Sequence, residues 1–351
     1  MRMWGKSGAI AAILALALGA DAGAQALVKD GEQIADAKLM AAAHAEGRVN
    51  LYGTYPTETI QPVLNAFKKD TGLDLDYVRL PGFQMFERLS REFEAGRMEA
   101  DYADLTDLSL AKNWKERGIF VSHKVPSFAK LPEELRDPDG YWYYLVRPTY
   151  VLGVNTVEVA EKDYPKSWRD TFDPKWKGKV GTVSIDAGGS ALTLYSFLRL
   201  RVGEDSWAKI AAGDPRIYAS AAPIANDLVR GRVSICYCGA SAIANQIANG
   251  APLKMIFPTE GLASFGSIGN VTSKARHPNA ARLWVNYVTS KYGSQLVAGT
   301  GSYGTHSEAA PPSFRGQSYP PPSQVWTIRP DDWEKYHETW PTEWKQVFQQ
   351  K

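Results

Sequence analysis

Apolar positions along the chain follow two alternating periods. "RVNLYGTY" (Arg48–Tyr55) reads as a strand ending in a loop, and "TETIQPVLNAFKKDTG" places Ile60, Val63, Leu64 and Phe67 at helical spacing before a stop at Gly72. "LDLDYVRL" is a second strand, broken by Pro81-Gly82; "FQMFERLSREFEAGR" is a second helix and "ADYADLT" a third strand. Strand–helix–strand–helix–strand predicts a parallel sheet whose ligand edge lies at the C-terminal strand ends. After "RDPDGYWYYLVRPTYVLGVNT" the pattern restarts. A helix near Trp168, the strand "KVGTVSI", a helix after Ser190, the strand "RIYAS", the helix "APIANDLVRG", the strand "VSICYCG" and the helix "SAIANQIANG" form a second α/β lobe. "PLKMIFPTEG" leads back to the first lobe, "AAPPSFRGQSYPPPS" is a Pro-rich surface loop, and a Trp-rich helix closes the chain.

The 351 residues exceed what one core usually serves, so two lobes are expected. The boundaries read 27–148 for the first lobe, continued by 262–300, and 149–261 for the second, joined by 301–351. Residues 1–26 look like a signal peptide: Arg2 and Lys6, a short apolar run, then "AQA" with small residues at −3 and −1. The apolar run is too short to span a bilayer, and an exported protein of the periplasm is expected. Lys+Arg 40 against Asp+Glu 38 leaves no charge imbalance that would point to nucleic acid or an anionic membrane.

Cys236 and Cys238 are the chain's 2 cysteines, at i, i+2 on an expected strand. Both then face one side, where a disulfide would be strained, so two buried thiols are expected, although export permits oxidation. "GTGSYG" (Gly299–Gly304) matches a dinucleotide fingerprint but follows a helix, and a serine elbow G-x-S-x-G is absent. The 5 histidines are scattered without metal-ligand spacing. Neither catalysis nor a cofactor or metal is expected.

The expected strand ends carry a different kind of residue. The first lobe offers Thr54 and Tyr55, then Phe83, then Thr106; the second offers Gly189, Ser190 and Ala191 in "SIDAGGSALTLYSF", then Ser220 and Tyr237. Strand–Gly–Gly–Ser–helix exposes the unpaired N–H groups of a helix start, where an anion can approach. The same stretch also reads as a tight turn closed by a Ser N-cap, with no ligand at all. Small, hydroxyl and aromatic residues converging on one edge suit a site that holds a ligand without reacting with it. Arg147, in the first crossing between lobes, is placed to pair with a ligand carboxylate or to bridge the lobes.

The blocks "AFKKDTGLDLDYVR", "EFEAGRMEADYADLTD", "PKSWRDTFDPKWKGKVGTVSIDAGGSA", "NGAPLKMIFPTEG" and "HPNAARLWVNYVTSKYGSQL" resemble the periplasmic solute-binding proteins of ABC transporters, in the branch with ferric-ion-, phosphonate-, sugar-phosphate- and thiamine-binding members. The resemblance implies a two-lobe α/β periplasmic binding protein fold. It implies a monomer that closes around a small anionic ligand, a carboxylate or phosphoryl/phosphonate compound, and delivers it to an inner-membrane permease. It also implies that Gly189, Ser190 and Ala191 hold the anionic group. Aligned with ferric-binding members, the metal-ligand positions fall on Pro56, Thr106, Cys238 and Gly239, which lack the hard anionic oxygens ferric iron favours. Tyr55 and Tyr237 stand one position away, so a ferric-ion or ferric-chelate receptor is the alternative. A secreted α/β hydrolase is the alternative from a different class.

Overall fold

The structure, a computed structural model, describes residues 25–220 and 222–350; the side chains of Phe83 and Ala222 lie outside the description, as does most of the expected signal segment. The described chain opens on a hairpin, β1 (Leu27–Lys29) and β2 (Glu32–Ala35), and helix α1 (Ala37–Glu46). The Asp36 carboxylate accepts from the Leu39 N–H at 2.7 Å to cap α1, and Gly47 ends it at φ 75°. None of these three elements is among those the periodicity of the sequence predicts.

The first lobe continues with β3 (Arg48–Gly53), α2 (Thr57–Thr71), β4 (Asp74–Arg79), α3 (Gly82–Glu94), β5 (Tyr102–Leu105), α4 (Leu108–Glu116) and β6 (Tyr143–Val146). The second lobe begins at β7 (Tyr150–Asn155). It runs through β8 (Val180–Val183), α5 (Gly189–Phe197), α6 (Ser206–Ala212), β9 (Arg216–Tyr218), α7 (Ala222–Val229), β10 (Ile235–Gly239), α8 (Ala240–Ala248) and β11 (Leu253–Ile256). The expected helix near Trp168 is only a 3₁₀ turn, Arg169–Phe172. The chain then returns through β12 (Leu262–Ser264) to β13 (Ser267–Val271), α9 (Pro278–Thr289) and α10 (Lys291–Ala298). A small hairpin, β14 (Ser313–Phe314) and β15 (Gln317–Ser318), interrupts the Pro-rich loop. Strand β16 (Val325–Thr327) and helices α11 (Pro330–Tyr336) and α12 (Trp340–Val347) complete the chain, two short helices in place of the single one expected.

Among the described residues two five-stranded sheets dominate, ordered β4-β3-β5-β13-β6 and β11-β7-β10-β8-β9. In the first, β3 lies parallel to β4 and β5 while β13 is antiparallel to β5; in the second, β8 lies parallel to β9 and β10 while β7 is antiparallel to β10. Both sheets are therefore mixed, and each brings three parallel strands to a common C-terminal edge. Helices cover both faces of the first sheet. On one, Phe67 of α2 meets Trp284 and Tyr287 of α9 edge-on at 5.2 and 5.3 Å; on the other, Met85, Leu89 and Trp114 of α3 and α4 are fully buried. Each edge-on aromatic pair adds about 0.5–1.5 kcal/mol beyond its burial.

The C-terminal segment divides between the lobes. Lys112 of α4 pairs with Glu334 of α11, while Lys345 of α12 pairs with Asp186 of the second lobe at 3.0 Å. Trp344 packs on Tyr195 at 5.1 Å, and Trp340 on Trp207 at 5.3 Å. Within 301–351, apolar rings anchor α12 on the second lobe, while α11 rests on the first.

Cys236 and Cys238 are joined as a disulfide, in place of the two thiols expected. Their Cα atoms are 5.4 Å apart, inside the span a disulfide bridges. Gly153 of β7, opposite Cys236, makes room for the sulfur: a Cβ there would lie 2.8 Å from Cys236 Sγ. The expected outcome of thiol titration on unfolded, unreduced protein is no reactive thiol, and two reactive thiols would refute the pairing. The bridged ring is so short that reduction should cost only about 1–2 kcal/mol of stability.

Candidate functional site

The carboxyl ends of β3, β4 and β5 face those of β8 and β10 across the gap between lobes. Four of the five junctions pass from strand to helix through residues that supply no capping side chain: Pro56, Pro81, Gly188 and Gly239 precede α2, α3, α5 and α8 without a side-chain hydrogen bond to the helix N–H groups. The fifth, from β5 to α4, is capped by the Asp107 carboxylate, as Asp36 and Ser290 cap α1 and α10 away from the gap. The starts of α2, α3, α5 and α8 thus keep their partial positive charge unanswered by a capping side chain.

The two glycines before Ser190 serve different ends. Gly188 sits at φ 116°, ψ −168°, a conformation that costs other residues about 1–3 kcal/mol but not glycine. Gly189 is helical, and its requirement is space: a Cβ would stand 2.5 Å from the Thr106 carbonyl oxygen of the first lobe and 2.9 Å from the Trp333 ring of α11. Among the described residues no acceptor is found for the Gly189 and Ser190 N–H groups, whereas the Ala191 N–H is bonded to the Gly188 carbonyl at 3.0 Å. Gly189 and Ala191 are both buried and Ser190 is half-buried, so the turn offers two unaccepted N–H groups, one of them on a buried residue, where the sequence suggested three. The Ser190 hydroxyl lies beside the Tyr150 phenol, whose pKa burial pushes up to about 12.

On the first lobe, Thr54 donates through its N–H and Oγ1 to Asp104 at 2.9 and 2.6 Å. Asp104 also accepts from the Tyr102 hydroxyl at 3.1 Å, and burial raises its pKa. Thr54 and Asp104 are therefore partners of each other. The Tyr55 phenol is buried, bonds Ser302, and has Thr300 and Ser241 of α8 within reach; burial raises its pKa. Tyr55–Ser241 and Thr106–Gly189 are two places where the lobes meet. Thr106 also stands close to the start of α3, with its Oγ1 3.9 Å from where a Gly82 Cβ would be.

Three other expectations change. The Tyr237 hydroxyl bonds Thr171 Oγ1 at 2.6 Å, and its ring meets Trp168 edge-on at 5.1 Å. It points into the second lobe's core, on the face of β10 opposite the cysteines, because residues alternate faces along a strand. Arg147 has no carboxylate within ion-pair distance among the described residues; it donates to Thr327 Oγ1 at 3.2 Å. No bridge between lobes forms through it. Ser220 is exposed after β9, outside these contacts, and the side chain of Phe83 lies outside the description. Ser241 and Trp333 were missed. Ser241 follows Gly239 in the same strand–Gly–helix context that drew attention to Ser190, so its signal was present; Trp333 lies far along the chain with none.

Two lobes whose parallel strands end at a shared gap, with the starts of α2, α3, α5 and α8 uncapped there, have the form of a cleft-type binding protein. The chain belongs to the family of bacterial extracellular solute-binding proteins, whose family model matches residues 98–324, and it is the substrate-binding component of an ABC transporter. It is 28% identical over 194 residues to iron uptake protein A1 of Synechocystis, a match covering 53% of this chain and 52% of that one. In fold it is similar to an ABC-transporter substrate binding protein of Agrobacterium tumefaciens (TM-score 0.71, 17% identity, 87% of this chain and 96% of that one). It is also similar to the periplasmic binding protein AfuA of Actinobacillus pleuropneumoniae with fructose-6-phosphate bound (TM-score 0.68, 19% identity, 86% and 99%).

Gly189→Ala tests the lobe contact. Alanine favours a helix by about 1 kcal/mol over glycine, so the second lobe itself should not suffer. The added methyl should push Thr106 away, and small-angle scattering should report a larger radius of gyration than wild type. An unchanged radius would show that this contact does not set the approach of the lobes.

Proposed function

We propose that the protein binds a small organic anion, a carboxylate or a phosphoryl/phosphonate compound, with its anionic group at the start of α5. The observation that carries this reading is the pair of unaccepted N–H groups of Gly189 and Ser190 at a helix end, with the Ser190 hydroxyl beside them. Asp186, the nearest acidic residue in the chain, pairs with Lys345 and so opposes an incoming anion less than a free carboxylate would. Thr106 of the first lobe, against Gly189, and Ser241 of the second, beside Tyr55, are neutral hydroxyls at the lobe contacts that can donate to a ligand. The bound fructose-6-phosphate of AfuA supports an anionic ligand on this fold. Closure over a ligand held by both lobes couples binding to the approach of Thr106 and Gly189. The bound, closed protein is then presented to a membrane permease as a monomer.

A ferric receptor is the second reading, favoured by the likeness to iron uptake protein A1 and by Tyr55 at the cleft. Against it, Cys238 is committed to a disulfide and Tyr237 to the core. The Tyr55 phenol is held above its usual pKa by burial, which opposes the phenolate that iron requires.

A thermal-shift screen of organic acids, phosphonates, sugar phosphates and ferric citrate separates the readings. One anion should raise the melting temperature saturably, and Ser190→Asp should weaken it at least about tenfold through like-charge repulsion. Ser190 lies in the first turn of α5, where the helix dipole favours an acidic side chain, so the fold should persist. Ferric citrate should give no visible charge-transfer band; a coloured one-to-one complex that disappears in Tyr55→Phe would replace the anion reading by the iron one.

A further inference from the structure

A cavity of about 730 Å³ lies beside the hinge and shares no lining residue with the strand-end cleft. Its walls come from three parts of the chain: the loop around Glu134, the crossing at Arg147, and the segment from Pro322 to Asp331, with Arg201 reaching in from the second lobe. Arg201 stands in the π turn that continues α5, 11 residues beyond Ser190. At the helical rise this puts it about 16 Å along the axis from the anion turn. The cavity is thus a separate place, and it does not draw on the reading proposed for the cleft.

Arg147 is the unusual group here. It is 6% exposed, its Nε is buried without a hydrogen-bond partner, and its one side-chain bond is the neutral hydroxyl of Thr327. A buried guanidinium is ordinarily paired, because removing its charge from water costs several kcal/mol. Burial is the main reason its pKa falls to about 10. Arg201 and Arg329 line the same cavity and, like Arg147, have no carboxylate within ion-pair distance among the described residues. Acidic residues are present too. Glu133, Glu134 and Asp331 line the rim, all exposed; Glu133 is directed to Arg136 at 4.0 Å, and Glu134 acts on Arg147 only through space. The fixed charges of the walls therefore balance on paper, while the one buried charge is positive and unmatched.

We infer that this cavity is a second anion site, in which Arg147 at the base and Arg201 and Arg329 at the mouth hold a compact oxyanion carrying phosphoryl or carboxylate groups. A planar guanidinium presents paired donors that match such oxygens. Arg147 belongs to the first crossing, pairing through its backbone with Tyr303, and Thr327 belongs to β16, which pairs with β12 of the return crossing. An anion bound here sits against the joints on which the lobes turn.

The test is calorimetric and thermal titration with inorganic phosphate and, separately, citrate, at constant ionic strength set with chloride. It is run on wild type and on Ser190→Asp, which disables the cleft turn. At least one of the two anions should bind saturably to both proteins. Arg147→Met, in either background, should weaken the Ser190→Asp-insensitive binding by about tenfold or more, the range for a charged hydrogen-bond partner. Without anion, Arg147→Met should be at least as stable as wild type, because an unpaired buried charge is gone. Should Arg147→Met fail to fold, the double variant of the exposed arginines, Arg201→Gln with Arg329→Gln, reads the same site. Phosphate binding would identify a phosphoryl site and citrate binding alone a carboxylate site. No saturable binding of either anion, binding abolished by Ser190→Asp, or binding unaltered by the arginine substitutions would each overturn the inference.

Discussion

A single backbone-to-backbone approach, Gly189 of the second lobe against the Thr106 carbonyl of the first, fixes the arrangement around which the rest of the cleft is built. Room for it exists only because position 189 has no Cβ. Gly188 turns the chain so that α5 starts at the gap, and Tyr55 and Ser241 meet on the other side of it. At the same edge the starts of α2, α3, α5 and α8 have no capping side chain, whereas α4 is capped by Asp107. A capping side chain at position 188 would satisfy the start of α5 and crowd the gap at once. The local cost of leaving N–H groups unaccepted is therefore tied to the opening between the lobes.

Polar groups that look alike in the sequence divide sharply in the structure. Thr54 and Asp104 spend their hydrogen bonds on each other, Tyr237 on Thr171, and Asp186 on Lys345. The free donors that remain are mostly main-chain. This distribution suits a protein that must bind and then release: backbone donors at a helix end are pre-oriented and lose no rotamer freedom on binding, and a neutral surround keeps the ligand from being held by several opposite charges at once.

The sheets were legible because β3, β4, β8 and β10 are punctuated by Gly or Pro where each meets its helix, and α2 shows an apolar stripe of Ile60, Val63, Leu64 and Phe67. The turn at Gly188–Ser190 was legible for the same reason. Tyr237 was not, because β10 is buried on both faces: with Ile235, Cys236, Tyr237 and Cys238 all apolar or small, alternation carries no information about which face meets the gap. Helix α1 escaped because "AKLMAAAHAE" has little amphipathic contrast. The disulfide depended on Gly153, a residue more than eighty positions away that clears the space for sulfur. Trp333 depended on where α11 docks, which no local pattern encodes.

The division of the C-terminal segment bears on mechanics. Two crossings near Arg147 and Leu262 connect the lobes like a pair of parallel straps, and such a pair permits both bending and shear. The C-terminal segment adds a third connection, with α11 leaning on α4, Trp340 and Trp344 of α12 anchored on Trp207 and Tyr195, and the Trp333 ring lying against the Gly189 turn. Three attachments that are not collinear remove freedoms that two allow. Opening must then either peel α11 from the first lobe or follow the one rotation that keeps all three taut, so the tail works as a limit stop on the jaw.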